Sequence, residues 1–261
     1  MGGGASARKA EEAACSEVDS ASLAGAPGQT AGDLADLLFG VDEQISQGLS
    51  EKQQQQMSDV LTLLAEPGWR PGSKRSGVEA RYKFNRETGL FYSCFNCEVP
   101  DTARSMFEDF NRGKAQERYS DVCKEEHVLS VTERPLPLGH ERLVRGIYRM
   151  PYPMKDRDFV WQEWSALLPT QDGGSLYISV AYSPDDEATL CPAEPERFVR
   201  AHLKLSATFA RQGPGEQGVR AAFIIQGDIK GNMPRSLQNL LAGNASTYLA
   251  QFRDAHSTVL G

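Results

Sequence analysis

No stretch of this sequence stays apolar for long. Runs such as Ala221–Ile225 fall far short of the roughly 20 residues that a helix needs to cross a bilayer, so no transmembrane segment is expected. The first 30 residues lack an uninterrupted apolar core of secretory type, and Glu11, Glu12, Glu17 and Asp19 speak against an organellar transit peptide. A cytoplasmic protein is the expectation. Positive charge is also short: 28 Lys and Arg stand against 35 Asp and Glu, a net charge of −7. That excludes the basic stripe of a nucleic-acid binder. The four histidines (His127, His140, His202 and His256) are scattered, and five cysteines without a secretory leader point to reduced thiols. Cys94 and Cys97 form a C-x-x-C pair inside Leu90–Val99, which reads as a strand. Residues i and i+3 of a strand point to opposite faces, so the two thiols cannot grip one ion, and no metal is expected. There is no Gly-x-Ser-x-Gly element, no cluster of His with carboxylates and no phosphate loop. Neither an enzyme nor a cofactor is expected.

What is present is a sizeable globular chain of 261 residues, 40% hydrophobic. Its acidity is uneven. Residues 1–66 hold 3 basic and 11 acidic groups, whereas residues 67–261 hold 25 and 24. Three regions follow. Residues 1–30 are Gly, Ala, Ser and acidic, read as a flexible tail. Residues 31–66 carry N-terminal helices, and 67–261 the main domain, whose first helix is drawn from 50–65. Met1-Gly-Gly-Gly-Ala-Ser6 fits the N-myristoylation pattern with Gly2 as acceptor, and Arg8 and Lys9 follow. One acyl chain would give weak, reversible peripheral attachment.

Leu34, Leu37, Leu38, Val41 and Ile45 follow helical spacing. Ser50 opens a second helix as a capping box with Gln53, and Met57, Val60, Leu61 and Leu64 line one face. The run Gln53–Gln56 reads as a solvated helix face. Val78, Ala80, Tyr82 and Phe84 alternate as a strand, which Glu87-Thr-Gly89 turns into the 90–99 strand. A short helix carries Ala103, Met106, Phe107 and Phe110 inward, and 112–126 is polar and mixed. Six strand-like runs follow near 127–134, 141–150, 157–168, 175–183, 197–210 and 218–229. A final helix begins near Pro234 and carries Leu237, Leu240, Leu241, Tyr248, Leu249 and Phe252 at helical spacing. Strands joined by short turns make an antiparallel sheet, one face of which the final helix must cover.

Two segments add a resemblance: Tyr148-Arg-Met-Pro-Tyr-Pro-Met-Lys-Asp-Arg-Asp-Phe-Val160 and Gln226-Gly-Asp-Ile-Lys-Gly-Asn-Met-Pro-Arg-Ser-Leu237, with Phe198-Val-Arg200 between them. Together they resemble the START (StAR-related lipid transfer) domain family over about residues 60–258, and Pro151-Tyr-Pro-Met154 is most similar to its phosphatidylcholine-transfer branch. The resemblance implies an α+β helix-grip fold, a curved antiparallel β-sheet wrapped around a long C-terminal helix. It implies a monomer that holds one lipid, here a phospholipid, and meets membranes transiently to transfer it, with lipid sensing or sterol carriage as alternatives. It also implies a head-group role for an Arg and an Asp, for which Arg118 and Asp121 are the candidates. The spacing differs and the family's Trp is absent. In the sterol branch an Arg follows the Arg-Asp-Phe-Val run, and here that place is Glu163.

Taking Phe159 as inward from the resemblance, alternation puts Trp161 and Glu163 on its face. Gly146 and Tyr148 pair on the preceding strand, Lys204 and Ser206 on a later one, and Phe223 and Ile225 on the last. With Leu241 these make the expected lipid site. Buried charge must be paired, so Glu163 and Lys204 are expected to meet each other or a head group. Arg157-Asp158 is expected to anchor loops by salt bridges, and Gly231 to serve a turn. The final helix is the expected gate, with Gly213–Gly218 or Cys191–Pro195 moving alongside it.

Overall fold

The computed structural model describes residues 48–135, 138–231 and 245–257. The tail, the expected helix near 34–45, Gly2 and Leu241 lie outside them.

Helix α1 spans Glu51–Ala65, and its capping box is closed: Gln53 N donates to Ser50 Oγ and Ser50 N donates to Gln53 Oε1. Met57, Val60 and Leu64 are buried on the outer face of the sheet against Cys94, Trp164, Ile178, Phe209 and Ile224. The glutamine run is not the solvated face expected. Gln53 is 4% exposed; it donates to Glu141 at 2.9 Å and accepts from Arg134 at 2.7 Å. Gln56 accepts from Trp164 Nε1 at 2.7 Å. Positions 53, 56, 57 and 60 share one helical face, so two amides are carried onto the sheet with the apolar stripe.

Ten strands follow: β1 Arg70–Arg75, β2 Val78–Asn85, β3 Leu90–Val99, β4 Cys123–Pro135, β5 Leu138–Tyr148, β6 Arg157–Pro169, β7 Ser175–Tyr182, β8 Val199–Arg200, β9 His202–Gln212 and β10 Val219–Asp228. The order across the sheet is β1-β2-β3-β10-β9-β7-β6-β5-β4. Every pair on this path is antiparallel. The exception lies off it: the run expected over 197–210 divides into β9 and the short β8, which pairs parallel with β6. β1 lies in a stretch for which no strand was expected. It is an edge strand, where proline is tolerated.

The chain passes from β3 to the far edge at β4 through α2 (Ala103–Asn111) and α3 (Ala115–Tyr119). Ala103, Met106, Phe107 and Phe110 are buried as expected, packing on the inner face with Phe95, Tyr177 and Phe223. A short α4 occupies Glu187–Leu190. The final helix, α5, is described over Ala245–Ser257, and its Tyr248, Leu249 and Phe252 join the same inner core. Cys94 packs in the outer core and Cys97 in the inner one, as strand alternation requires.

Candidate functional site

Between the inner face and α5 the core is not filled. A cavity of about 520 Å³ remains, within the range of pockets that enclose small ligands. Its walls come from β4, β5, β6, β7, β9, β10, α2, α3 and α5.

Alternation along β6 brings Phe159, Trp161 and Glu163 into this space, and along β10 Phe223 and Ile225. Tyr148 and Ser206 line it as well. Tyr148 meets Phe159 edge to face with centroids 5.4 Å apart. Gly146 makes this possible: a Cβ there would lie 2.8 Å from the Tyr148 ring and 2.9 Å from Trp161.

Lys204 departs from its expected place. The β9–β10 register shifts between Gln226↔Leu205 and Gly227↔Leu203, which marks a bulge. Leu203 therefore lines the cavity, while Lys204 is exposed in a groove on the other face with Asp59, Glu66 and Lys83. Glu163 finds a different partner. Arg142, directly opposite on β5, donates to its Oε1 at 2.6 Å and to the Phe110 carbonyl at 3.1 Å. Trp161 Nε1 donates to Glu163 Oε2 at 3.3 Å. Arg142 was legible in principle, since it lies two alternations back from Gly146.

Arg118 is also elsewhere. It donates to the carbonyls of Gly113 and Asp109 and pairs with the Asp109 carboxylate at 3.1 Å, holding α3 to α2 away from the cavity. Asp121 does line the cavity, but it is exposed and accepts from Gln251 of α5 at 2.9 Å, which places it at the rim.

Glu126 was missed. It is 4% exposed and lines the cavity from β4. Its oxygens accept from the backbone of Lys114 at 3.0 Å and Gln116 at 2.8 Å, at the start of α3. Burial raises its pKa, against the pull of the Gln116 and Lys114 amides and Arg142. No motif announces it, because its role depends on α3 folding back over β4. Tyr248 lines the cavity with its hydroxyl buried and without a partner among the described residues.

The Arg157-Asp158 pair does anchor loops. Asp158 meets Arg145 at 3.1 Å and Arg200 at 2.8 Å. Arg157 works through carbonyls instead of a salt bridge: it donates to Ile229, Lys230 and Lys155. Gly231 beside it has φ +74°, a backbone that favours glycine. The cavity mouth is thus fixed by a guanidinium that ties the 150–156 loop to the turn after β10.

Among the described residues no cluster of His, Cys, Asp and Glu could hold a metal, and burial pushes the thiols of Cys94 and Cys97 up to about 12. No described helix is long and apolar enough to cross a membrane.

No family model matches the chain, and no curated protein matches it in sequence. Solved structures do match in shape. Human StAR-related lipid transfer protein 5 superposes with a TM-score of 0.64 at 16% identity, over 81% of this chain and 97% of that one. Human STARD10 gives 0.57 at 18% identity, over 81% and 83%. A StAR-related lipid transfer protein from Xanthomonas axonopodis gives 0.58 at 15%, over 73% and 99%. The chain therefore has the helix-grip fold of the StAR-related lipid transfer domains.

Proposed function

We propose that this protein binds one lipid in the cavity and carries it between membranes, as a monomer that meets each membrane transiently and performs no chemistry on its cargo. The observation that carries this reading is the cavity under α5, walled by Phe159, Trp161, Phe223 and Ile225 and provided at one end with the Arg142–Glu163 pair. The fold is shared with proteins named for lipid transfer. An aqueous substrate would gain little from such walls, whereas each apolar group of a lipid gains about 25 cal/mol per Å² withdrawn from water.

Volume weighs on the phospholipid expectation. About 520 Å³ suits one chain with a small head, or a compact ring system, better than two acyl chains and a phosphate. Arg142 is already committed to Glu163 and to the Phe110 carbonyl. A sterol carrier is the second reading, because Glu163 stands where the sterol branch has its Arg and Arg142 supplies the opposite partner. A sensing module without transfer would use the same cavity.

Lipid exchange between pure vesicles decides among these. Protein-dependent movement of labelled lipid is expected, with one bound lipid per chain seen by native mass spectrometry. Loading without movement would favour sensing, and no loading would end the reading.

A further inference from the structure

We propose that the polar end of the cavity receives the amine or quaternary ammonium head of a single-chain lipid, placed beside the carboxylates of Glu126 and Glu163 and the rings of Tyr148 and Tyr248. This inference rests on the lipid-binding reading above and names the class of lipid.

The charge balance of the walls is the starting point. Among the described residues the charged groups lining the cavity are Asp121, Glu126, Arg142, Arg149, Arg157 and Glu163. Three belong to the mouth. Asp121 and Arg149 are exposed there, and Arg157 is occupied by loop carbonyls. The inner end therefore holds two carboxylates against the single guanidinium of Arg142. Glu163 has that guanidinium at 2.6 Å. Glu126 has only the two backbone N–H groups of α3, and a carboxylate accepts about four hydrogen bonds. An excess buried negative charge is costly unless a proton or a cation meets it. Burial favours a proton on Glu126, in keeping with its raised pKa. A lipid ammonium would serve in its place.

A second observation points the same way. Tyr248 is 7% exposed, lines the cavity and leaves its hydroxyl without a partner. Its oxygen can accept from an ammonium N–H, and tyrosine rings attract cations over their faces. Tyr148 and Tyr248 both lie within electrostatic reach of Glu126 and Glu163. A phosphate would meet two carboxylates at this end, where the one guanidinium, Arg142, is engaged by Glu163 and the Phe110 carbonyl and keeps only its Nε unpartnered. A hydroxyl would leave the excess charge in place. A fatty acid would add to it.

The test uses the full chain and four matched probes: dodecylamine, dodecyltrimethylammonium, dodecanol and dodecanoate, titrated calorimetrically with Trp161 fluorescence in parallel. The two cationic probes are expected to bind about tenfold or more tighter than dodecanol, as a charge-assisted contact in a dry site allows, and dodecanoate weakest. Glu126→Gln should erase that preference. Because Glu126 also holds the start of α3, Glu163→Gln is the second variant. It frees Arg142 and should turn the preference toward dodecanoate. Dodecylamine binding should also strengthen as pH rises and Glu126 ionises, with proton release on the acid side of that titration seen as a dependence of the measured heat on the buffer. The charged and titratable groups that face that carboxylate are Glu117, Cys123, Arg142, Tyr148, Glu163 and Tyr248. Equal binding of dodecanol, or tighter binding of dodecanoate, by the unmodified protein would overturn this inference and leave lipid binding standing. Failure of all four probes, and of cholesterol and a diacyl phosphatidylcholine, would overturn the lipid-binding reading with it.

Discussion

At Gly146 a side chain would have nowhere to go, since its Cβ would fall within 2.9 Å of both Tyr148 and Trp161. Gly146→Ala is expected to cost about 1–3 kcal/mol by overpacking, read from the denaturant midpoint, and to push the Trp161 ring into the lipid's volume. The Arg142–Glu163 pair has side chains only 6% and 13% exposed. Glu163→Ala leaves the guanidinium buried and unpaired and should destabilise by about 3–5 kcal/mol. Replacing both partners, Arg142→Met with Glu163→Leu, should recover most of that in the same denaturation experiment. Arg142 also shows how far strand alternation reaches from the chain alone. Phe159, Trp161 and Glu163 follow period two along one regular strand and were placed correctly on one face. Lys204 was not, because one bulged residue inverts the period and nothing in His202–Gln212 marks it.

The element that decides exchange is α5, and a small polar cluster holds its last turn. His256 is 8% exposed; its Nδ1 meets Asp101 and its Nε2 lies 3.6 Å from Asp109. Tyr119 donates to Asp109 at 2.9 Å and Arg118 pairs with it. Burial alone would lower the His256 pKa, but hydrogen bonds to Asp109 and Asp101 and their charges raise it. Burial likewise opposes the ionised form of Asp109, yet His256, Tyr119 and Arg118 hold its pKa at about 2. The sign follows from linkage. The His256 contribution is full below the ordinary histidine range and is lost as pH rises through its raised value. The Asp109 contribution is present above the ordinary carboxylate range and is lost as pH falls toward about 2. Hydrogen exchange in α5 should therefore show opening become easier as pH rises above the ordinary histidine range and His256 loses its proton, after correction for the intrinsic rate. His256→Gln should flatten that dependence. A disulfide between α5 and β3 should stop transfer while leaving the fold intact, and unchanged transfer rates would exclude α5 as the gate.

At the scale of the molecule, α1 packs on the outer face of the sheet and α2, α3 and α5 on the inner face. A chain lacking residues 1–47 is expected to melt within a few degrees of the full chain and to load lipid equally; a large loss in either would give the N-terminal segment a structural role. Intact mass of protein from its own cells tests acylation of Gly2. The sequence by itself determined most of the elements and the faces of the regular ones, because helical and strand periods are local. It gave the capping box at Ser50, the hairpin at Glu87–Gly89 and the opposite burial of Cys94 and Cys97. Three motifs in order also carry the resemblance that implies the helix-grip fold. Only the tertiary structure decided which charges share the cavity. The bulge sends Lys204 outward, the β5–β6 register sets Arg142 opposite Glu163, and the fold of α3 over β4 brings Glu126 inside. Each depends on pairing between segments distant in the chain, and a local period carries no information about register.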